Sequence, residues 1–553
     1  MTLAGFVPWD KDSAKKYVAK GYWTGGNLGD TIEAPVKATP NKVAIIAEDG
    51  RKVTFAELKL KADRVALKLR EMGLKQNDAV LIQLPNWPEF IIAYYGILRA
   101  GLIATLTVPQ FRSIEVRHLA KLTDAVAIIV PKEFGKFAYP QMVKEILPDV
   151  PKLKHVLVAG DPVPDGTTSL TQVMETPLEK KYPADYLNQF KQKGTDVAQI
   201  LHTGGTTGLP KGVPRTHNDY ILASSVFGKH LNYTPSAVAL ISLPVALNAS
   251  LMRAVGFLAV GATIVMNTST SAEAMAKAAH RDRVTHTLMA PTNVVDILNF
   301  PDLNKYDLSS LRHIMCGVGY LAPDLLKAFR QKIPATCSIT RGYGMAEGPI
   351  ILMDHDEPFE KGFYTLGLPC CPEDEYKIID TNGNEVPHGQ EGELVTRGPH
   401  VFRGYYKNPQ ENAISYTTDG FFRTGDIAIR DRYDGYMITG RIKEWIRRGG
   451  MTIVPVELEE PLLKHPKVEN VAIVGMPDPR LGERTCAYIK PKAGQTITLE
   501  EVTSFLATQG LATYKLPERL ELVDIMPVTA HDKVDKKLLR QQITEKLKKE
   551  GNH

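Results

Sequence analysis

Cysteine is scarce in this chain of 553 residues, which has only five, and no two of them form a CxxC pair. An odd number of cysteines spread over this length does not suggest a disulfide framework. Two of them, Cys370 and Cys371, are adjacent in sequence, which is poor geometry for a disulfide. This cysteine usage favours a reducing compartment, and we predict a cytoplasmic protein.

Long apolar runs and a strong net charge are also lacking. No run of eighteen apolar residues appears, so the sequence predicts no membrane span. The first 26 residues carry charges throughout and lack the apolar core of a secretory signal. The net charge of +5 is mild and does not argue for nucleic-acid binding. With 43% hydrophobic and 23% charged residues, the chain is typical of a soluble globular protein of two or more domains.

Helix and strand patterns alternate in the first part of the chain. Thr54 and Glu57 form a capping box, and apolar residues then recur at helical spacing as far as Gly73. Residues 79–84 and 102–108 read as strands on either side of a helix at 87–100, and further short strands are predicted at 156–158, 238–242, 262–265 and 313–315. This alternation predicts a parallel sheet with helices on both faces.

The pattern changes near residue 440. Before it, strand-like runs such as 393–396 and 436–439 are separated by turns, and after it helices at 457–465 and 499–509 alternate with strands at 471–475 and 486–489. We therefore predict an α/β protein with two domains. The large N-terminal domain, 1–440, has helix-flanked mixed and parallel sheets, and the small C-terminal domain, 441–553, is α+β.

The most distinctive segment is residues 203–215, Thr-Gly-Gly-Thr-Thr-Gly-Leu-Pro-Lys-Gly-Val-Pro-Arg, which closely follows a predicted strand at 197–201. Glycines let the backbone turn its N–H groups towards an anion, threonines add hydroxyl donors, and Lys211 adds positive charge. The segment lacks the Gly-Lys-Ser/Thr ending of the Walker pattern. It predicts a phosphate-binding loop, and the alternative is a flexible surface loop.

Five further segments carry candidate chemistry, each with an ordinary alternative. Cys316-Gly-Val-Gly319 permits close contact with a flat ligand, or is a strand-end turn. Glu347, in Tyr343-Gly-Met-Ala-Glu347, is a candidate Mg²⁺ ligand or a surface acid. Asp426 suits the two hydroxyls of a ribose, or is a turn residue. Arg441 and Lys533 suit a ribose or phosphate, or are solvated charges.

Together these segments resemble the AMP-forming adenylate-forming enzymes: acyl- and aryl-CoA ligases, siderophore aryl-acid adenylating enzymes, peptide-synthetase adenylation domains and luciferases. The resemblance covers nearly the whole chain, in the family's order. The motifs are 203–211, Gly342-Tyr-Gly-Met-Ala-Glu347, Gly392-Glu-Leu, Arg403-Gly-Tyr-Tyr406, Arg423-Thr-Gly-Asp426, Gly440-Arg-Ile-Lys443, Arg448-Gly-Gly450 and Lys533. Similarity to the 2,3-dihydroxybenzoate-AMP ligase branch is carried by Gly21-Tyr-Trp23, 214–220, 344–348, Arg397-Gly-Pro399 and Lys515-Leu-Pro517.

The resemblance implies a role for each group of residues. The β- and γ-phosphates of ATP would be held by Thr203, Gly204, Gly205, Thr206, Thr207 and Lys211. The rest of the nucleotide would be bound by Gly317, Val318, Gly319, Tyr343, Gly344, Met345, Asp426 and Arg441. Mg²⁺ would be bound by Glu347 and Thr206. The catalytic residues would be Lys533, which would bridge the carboxylate and the α-phosphate, with Glu347 and Lys211. Lys443 is at the family's hinge position, about which a mobile small domain would rotate.

Two departures from the family pattern bear on catalysis and on the acid. The residue before the catalytic lysine is Asp532 where the family usually has glycine. In the acid pocket, assigned to Leu247, Asn248, Met252 and Gly317, Leu247 replaces a histidine, and Met252 and Arg253 fall where serines would be. Because a buried phenol hydroxyl would then lack partners, we expect an acid without catechol hydroxyls.

The expected function is therefore that of an AMP-forming carboxylic acid–CoA ligase. It would activate an aryl, alicyclic or medium-chain carboxylate with ATP and Mg²⁺ and then form a thioester with CoA. The alternative is an aryl-acid–AMP ligase, of the 2,3-dihydroxybenzoate kind, that loads the pantetheine arm of a carrier protein. A non-catalytic nucleotide-binding protein of the same fold is a third interpretation, against which the set Lys211, Glu347, Asp426, Arg441 and Lys533 argues.

Overall fold

The computed structural model of the chain describes residues 3–203, 209–317, 319, 321, 323–448, 451–509, 511, 513–529 and 533–550, without the side chains of 443, 447, 451 and 452. By packing, the chain divides into two compact units. The first comprises Met1–Tyr376 and Thr396–Phe422, and the second comprises Lys377–Val395 and Arg423–His553.

The α-helices are numbered in chain order. They are α1 (Lys11–Ala19), α2 (Glu33–Ala38), α3 (Phe55–Glu71), α4 (Pro88–Arg99), α5 (Ser113–Thr123), α6 (Tyr139–Ile146), α7 (Leu170–Glu175), α8 (His217–His230), α9 (Asn248–Ala259), α10 (Ala272–Arg281), α11 (Pro291–Leu298), α12 (Pro323–Arg330), α13 (Pro409–Ile414), α14 (Pro455–Leu462), α15 (Leu499–Thr508) and α16 (Lys536–Glu550). Among these described helices, none is long and apolar enough to cross a membrane.

The strands are numbered in the same way. They are β1 (Val43–Ala47), β2 (Lys52–Thr54), β3 (Ala79–Ile82), β4 (Ile103–Leu106), β5 (Ala127–Pro131), β6 (Glu133–Phe134), β7 (Phe137–Ala138), β8 (His155–Ala159), β9 (Thr168–Ser169), β10 (Val197–His202), β11 (Gly212–Thr216), β12 (Val238–Ile241), β13 (Thr263–Met266), β14 (His286–Met289), β15 (His313–Cys316), β16 (Ser338–Gly344), β17 (Ile350–Leu352), β18 (Leu368–Pro369), β19 (Glu375–Ile379), β20 (Gly392–Arg397), β21 (Phe422–Arg430), β22 (Tyr436–Arg441), β23 (Ile446–Arg448), β24 (Met451–Ile453), β25 (Val468–Asp478), β26 (Gly482–Pro491) and β27 (Arg519–Leu522).

A nine-stranded sheet organises the first unit, in the order β18-β17-β16-β15-β14-β12-β13-β1-β2. The strands from β16 to β1 are parallel, and antiparallel strands extend both edges. Helices α10, α11 and α12 cover one face through a buried apolar cluster. Helices α8 and α9 pack together, and Phe257 of α9 contacts His286 of β14. Gly317 and the segment 345–348 follow β15 and β16 at the carboxyl edge of the sheet, where ligands of parallel sheets commonly bind.

A seven-stranded sheet, β11-β10-β4-β3-β5-β8-β9, is the second layer of this unit. Its strands are parallel except that β11 pairs with β10 in the antiparallel direction. Helices α5 and α6 pack on it through buried aliphatic side chains such as Leu119 and Val143. Residues 203–211 therefore connect two adjacent antiparallel strands.

The second unit holds most of a four-stranded sheet, β19-β20-β21-β22, and a sheet of β23 to β27. Strands β25 and β26 form a long antiparallel pair, and β27 adds to β26 in parallel. Helices α14 and α15 bury Leu458 and Val502 in one cluster, and α16 buries Leu539 and Ile543 in another. This small unit is α+β, as the sequence predicts.

The predicted fold class is confirmed, and the predicted elements lie close to the observed ones. The Thr54 and Glu57 capping box begins α3, with both of its hydrogen bonds present. The predicted helix at 87–100 is α4, which has a proline at its first turn. The division by packing has its junctions at 376/377, 395/396 and 422/423, and the boundary at 440/441 stays a prediction.

Candidate active site

The ends of the phosphate-loop segment are held together by the strands that flank it. The predicted strand at 197–201 is β10, and it pairs with β11 so that His202 lies opposite Gly212. The backbone N–H of Thr203 donates to the carbonyl of Lys211 at 3.2 Å. The four predicted phosphate-binding residues in the middle of the loop, Gly204, Gly205, Thr206 and Thr207, lie outside the described residues.

Lys211 is positioned by two side chains from the segment around 405–411. Its ammonium group forms an ion pair with Glu411, which lies in the first turn of α13. The same ammonium group lies 4.4 Å from the centroid of the Tyr405 ring, a distance at which a cation is attracted to an aromatic face. A phosphate approaching Lys211 would meet a positive charge that is already oriented.

Glu347 is buried, with 3% of its surface exposed. The hydroxyl of Tyr405 donates to its Oε1 at 2.8 Å, and the backbone N–H of Phe402 donates to its carbonyl at 2.7 Å. Burial raises the pKa of Tyr405, and the Glu347 carboxylate raises it further, so Tyr405 remains a neutral donor. Tyr405 thus contacts both Lys211 and Glu347.

Tyr405 and Glu411 are therefore residues that the sequence analysis missed as members of the site. The sequence indicates Tyr405 only as part of the Arg403-Gly-Tyr-Tyr406 motif and predicts no role for it. The motif was a usable signal, because a tyrosine hydroxyl is a donor that a buried carboxylate requires. Nothing in the sequence indicates a role for Glu411, because its ion pair with Lys211 joins residues 200 positions apart.

The segment from Tyr343 to Gly348 is built on a sharp turn after β16. The N–H of Gly348 donates to the carbonyl of Met345 at 3.2 Å. Gly348 has φ of +119°, and a Cβ placed there would lie 2.1 Å from the backbone oxygen of His400. Only glycine fits this position, so the backbone itself fixes where Glu347 lies.

Buried side chains hold this turn in place through hydrogen bonds to its backbone. Arg215 donates to the carbonyls of Ala346 and His400, at 2.9 Å each, and it pairs with Asp219 at 2.8 Å. Burial raises the pKa of Asp219 despite the opposing effect of Arg215. The 214–220 segment, which carried part of the family resemblance, therefore braces the Glu347 turn.

His400 completes the support through a second buried pair. Its Nε2 lies 2.8 Å from a carboxylate oxygen of Asp374, and its Nδ1 lies 2.9 Å from the carbonyl of Gly348. The thiol of Cys370 lies 3.7 Å from Nε2, so these three side chains bring metal-ligating atom types together. Because both ring nitrogens already have acceptors, the arrangement is explained by hydrogen bonding alone.

Four of the residues predicted to bind the nucleotide lie at the carboxyl edge of the nine-stranded sheet: Gly317, Gly319, Tyr343 and Gly344. The N–H of Gly317 donates to the carbonyl of Met289 at 3.1 Å, and a Cβ on Gly317 would lie 3.3 Å from the Met315 side chain. Gly319 is exposed, and Tyr343 and Gly344 end the neighbouring strand β16. Val318 lies outside the described residues.

The predicted acid-binding residues begin α9. Leu247 and Met252 are buried apolar side chains, 7% and 4% exposed. The Asn248 amide nitrogen donates to the Met345 carbonyl at 3.1 Å, while its Oδ1 has no partner among the described residues. The structure therefore brings Asn248 together with the 343–348 segment and leaves an acceptor available beside it.

Within the second unit, Asp426 and Arg441 lie opposite each other on β21 and β22. The Arg441 Nε lies 2.6 Å from Oδ1 of Asp426. Asp426 is almost wholly buried, whereas 39% of the Arg441 side chain is exposed. The predicted ribose-binding carboxylate and its predicted neighbour are thus in direct contact.

Lys533 lies in the same unit and has a strongly altered ionisation. The pKa of Lys533 is lowered to about 8, mainly by burial and also by the charge of Arg441, while Asp426 and Glu444 oppose the shift. The backbone N–H of Thr529 donates to the Lys533 carbonyl at 2.6 Å. Asp532 lies outside the described residues. A half-buried lysine with a lowered pKa, close to an Asp–Arg pair, is typical of a functional site.

The predicted hinge residue, Lys443, lies in a single 3₁₀ turn, Ile442–Glu444, directly after β22. Its side chain is outside the described structure. Burial raises the pKa of neighbouring Glu444, but the three cations Lys536, Arg441 and Lys533 outweigh it, so the pKa of that carboxyl is lowered. Lys536 of α16 donates to Glu444 at 3.2 Å, which ties the turn to the last helix.

Two family models match the chain, and they agree with the resemblance read from its motifs. The model described as AMP-binding enzyme matches residues 32–406. The model described as AMP-binding enzyme C-terminal domain matches residues 457–533. The first of these matches alone covers more than half of the chain.

Characterised relatives are similar over nearly their whole length. The chain is 36% identical to a 2,3-dihydroxybenzoate-AMP ligase of Bacillus subtilis, with 99% of each chain covered. It is 35% identical to a salicyl-AMP ligase / salicyl-S-ArCP synthetase of Mycobacterium tuberculosis, covering 98% of this chain and 95% of that one. It is 34% identical to a 2-hydroxy-7-methoxy-5-methyl-1-naphthoate--CoA ligase of Streptomyces carzinostaticus, covering 97% of each. The chain belongs to the AMP-binding enzyme family and is an ATP-dependent adenylate-forming ligase.

Proposed function

We propose that this ligase activates an aromatic carboxylic acid as its acyl-adenylate and then transfers the acyl group to the pantetheine thiol of a carrier protein. Two relatives of near-identical length are named for aryl-acid–AMP ligation, and one of them also for thioester formation on a carrier protein. These similarities favour the alternative from the sequence over the main expectation of CoA ligation.

The observation that carries the proposal is the network of Lys211, Tyr405 and Glu347, with Asn248 bonded to the same turn. It holds a cation and a carboxylate in fixed positions within the unit that also carries the acid-pocket residues. Phosphoryl chemistry depends mainly on such positioning and on charge stabilisation. If the Asn248 amide binds the acid, it would hold the acid beside this network, where adenylation would take place.

The proposed first half-reaction joins the acid to AMP. An oxygen of the acid's carboxylate attacks the α-phosphorus of ATP, and the bond from that phosphorus to the β-bridging oxygen breaks to release pyrophosphate. The ammonium of Lys533 would stabilise the charge that develops on the α-phosphate, and Lys211 would hold the departing phosphates. Asp426 would accept from the ribose hydroxyls.

The carboxylate of Glu347 fits a magnesium site, because Mg²⁺ prefers carboxylate oxygens together with phosphate oxygens. When bound, the ion supplies positive charge at the phosphate oxygens. Tyr405 would keep Glu347 oriented towards this role by donating to Oε1. Thr206, the other residue predicted for this site, lies in the undescribed part of the loop.

The proposed second half-reaction forms the thioester. The pantetheine sulfur attacks the acyl carbon, and the bond between that carbon and the adenylate oxygen breaks to release AMP. We propose that the small domain, 441–553, rotates about Lys443 between the two half-reactions, so that Lys533 acts in the first only.

CoA remains a second candidate acceptor, because one relative at 34% identity is named as a CoA ligase. The carrier arm and CoA present the same terminal thiol. What separates them is whether the enzyme recognises a protein surface or the nucleotide part of CoA.

The test is a paired assay on the full-length protein. Acid-dependent exchange of labelled pyrophosphate into ATP is measured for aromatic, alicyclic and medium-chain acids, and the acid that is best activated is offered with either CoA or a phosphopantetheinylated aryl carrier protein. We expect aromatic acids to be activated best, with release of AMP, and the carrier protein to be acylated faster than CoA. Release of ADP would contradict adenylation. Faster acylation of CoA than of the carrier protein would support CoA ligation, the main expectation from the sequence.

A further inference from the structure

Arg253 of α9 is completely buried. None of its three guanidinium nitrogens has a hydrogen-bond partner among the described residues. Buried cations are normally paired, because a charge removed from water is otherwise strongly disfavoured. The buried guanidinium of Arg253 therefore needs a hydrogen-bond acceptor that the described part of the first unit does not supply.

Among the described residues around Arg253, aromatic rings are present and no carboxylate acts on its charge. The guanidinium carbon lies 5.5 Å from the Phe257 ring centroid and 5.8 Å from that of Tyr233, and these two rings stack at 3.5 Å. The hydroxyl of Tyr233 also lacks a partner in the described part of the chain. Together, Arg253 and Tyr233 present four unpaired polar atoms.

The titratable groups next to this cluster are histidines. His286 contacts both rings, and His313 lies beside His286. Burial lowers the pKa of His286 to about 3, helped by Arg253 and His355, and lowers that of His313 by the same causes. These rings are neutral at physiological pH, so Arg253 is an isolated positive charge that a single anion would balance.

The position of Arg253 in the fold points to the acid pocket. Residues 313 and 315 of β15 share one face of the sheet because side chains alternate, and a Cβ on Gly317, directly after the strand, would meet Met315 on that face. This face leads from His313, near Arg253, past Met315 to Gly317 at the carboxyl edge. Helix α9 packs on β12 and β13 of the same sheet and begins at Asn248, five residues before Arg253. Side chains on a helix lean towards its N-terminus, here towards Asn248.

We propose that Arg253 is a specificity-determining residue that binds an anionic substituent of the acid, such as a second carboxylate, on the side of the ring away from the reacting carboxylate. A planar guanidinium matches a carboxylate with two parallel hydrogen bonds. An unsubstituted ring would leave the charge unpaired, and a neutral ester would satisfy it less well. The inference rests on the proposed function, because it takes the acid to enter beside Asn248.

The experiment compares acids that differ only in this substituent. Pyrophosphate exchange is measured with benzoate, benzene-1,3-dicarboxylate, benzene-1,4-dicarboxylate and the monomethyl esters of the two dicarboxylates. For the wild-type protein we expect at least one dicarboxylate to exceed its own ester and benzoate by at least about tenfold in kcat/KM, mainly through KM. Arg253→Met should remove this preference while benzoate is still activated, and Arg253→Lys should retain part of it.

Folding of the variants is followed by thermal melting, and a second measurement needs no variant. With a non-hydrolysable ATP analogue, the dicarboxylate should raise the melting temperature of the wild-type protein more than its ester does. Equal shifts, or a wild-type preference for benzoate that Arg253→Met leaves unchanged, would overturn the role of Arg253 and leave the proposed function standing. Failure to activate any aromatic acid would overturn both.

Discussion

The two units hold their candidate catalytic residues in different ways. In the first unit, Glu347 is fixed by a glycine turn, by Tyr405 and by buried supports that include Arg215. In the second unit, the buried carboxylate of Asp426 is bonded to a half-exposed Arg441. A rigid scaffold positions a group for one geometry, whereas a partly exposed ion pair exchanges partners at low cost.

The difference suggests a division of labour. The first unit would hold the phosphates and the acid throughout the reaction. In the second unit, Asp426 would exchange Arg441 for ribose hydroxyls, and Lys533 would be needed for one half-reaction only. Substitutions in the first unit should therefore affect both half-reactions, and those at Lys533 should separate them.

Lys533→Ala should produce the largest effect. An oriented charge at the transition state contributes ~3 kcal/mol, so adenylation should slow by roughly a hundredfold. Thioester formation from a supplied acyl-adenylate should be largely retained. The two half-reactions are measured separately, by pyrophosphate exchange and by acyl transfer.

The matched control is Lys537→Ala, which removes an exposed lysine in the first turn of α16, the helix that follows Lys533. It should leave both half-reactions unchanged. Equal losses in both half-reactions for Lys533→Ala would indicate misfolding or a different role, and would remove the contrast between the units at this residue.

The pH dependence of adenylation should show the same contrast. The pKa of Lys533 is lowered to about 8, so its charged form predominates below pH 8 and declines about tenfold per pH unit above it. Adenylation should fall accordingly between pH 8 and 9, whereas acyl transfer should not, because thiolate increases with pH. Rates of each half-reaction from pH 6 to 10 provide the measurement.

Lys533→Arg serves as the control for this profile. A guanidinium keeps its charge throughout the range, so any activity that remains should no longer fall above pH 8. A decline that persists unchanged in this variant would assign the titration to another group.

The fold was largely predictable because it depends on local patterns. Helix α3 begins at a capping box whose residues are three apart, and the strands are short apolar runs bounded by turns. The supports of Glu347 were not predictable, because Arg215 and His400 reach it through contacts across 131 and 52 positions. No repeating pattern in a single sequence indicates which residues so far apart in the chain will contact each other.

The site was predictable in part. The motifs gave Lys211, Glu347, Asp426, Arg441 and Lys533, and the structure brings Asp426 and Arg441 into contact. The binding of the acid by Asn248 stays a prediction; its amide nitrogen donates to the Met345 carbonyl, which leaves Oδ1 as the available polar atom. The sequence could not predict that Arg253 lacks a carboxylate partner. That fact depends on which side chains every neighbouring described element places around it.

Lys443→Pro tests whether the small domain, 441–553, rotates during the reaction. Proline fixes φ and removes the backbone N–H in the 3₁₀ turn, which should hamper rotation at this point. We expect one half-reaction to slow by roughly tenfold, equivalent to about 1.4 kcal/mol, while the other is spared. Pre-steady-state measurement of both steps would show this, and unchanged rates would remove the hinge role of Lys443.

Tyr405→Phe tests how rigidly the first unit must hold Glu347. Removing the hydroxyl leaves a buried carboxylate without one donor, which costs about 1 kcal/mol or somewhat more. Both half-reactions should slow by about five- to tenfold, and the Mg²⁺ concentration for half-maximal adenylation should rise. Tyr406→Phe is the control, since the Tyr406 hydroxyl has no hydrogen bond to the described residues. Equal behaviour of the two variants would show that the bond to Glu347 is dispensable.

Arg441→Lys should have the smallest effect, because it alters the exchangeable pair rather than the rigid scaffold. Lysine keeps the positive charge and loses the planar fork of donors. A half-exposed ion pair contributes at most about 1 kcal/mol, so KM for ATP should change by no more than about fivefold, with kcat nearly constant. Steady-state kinetics at saturating acid measure this change. A much larger loss, or a loss confined to kcat, would mean that Arg441 acts on the reacting phosphate, and the second unit would then be as tightly organised as the first.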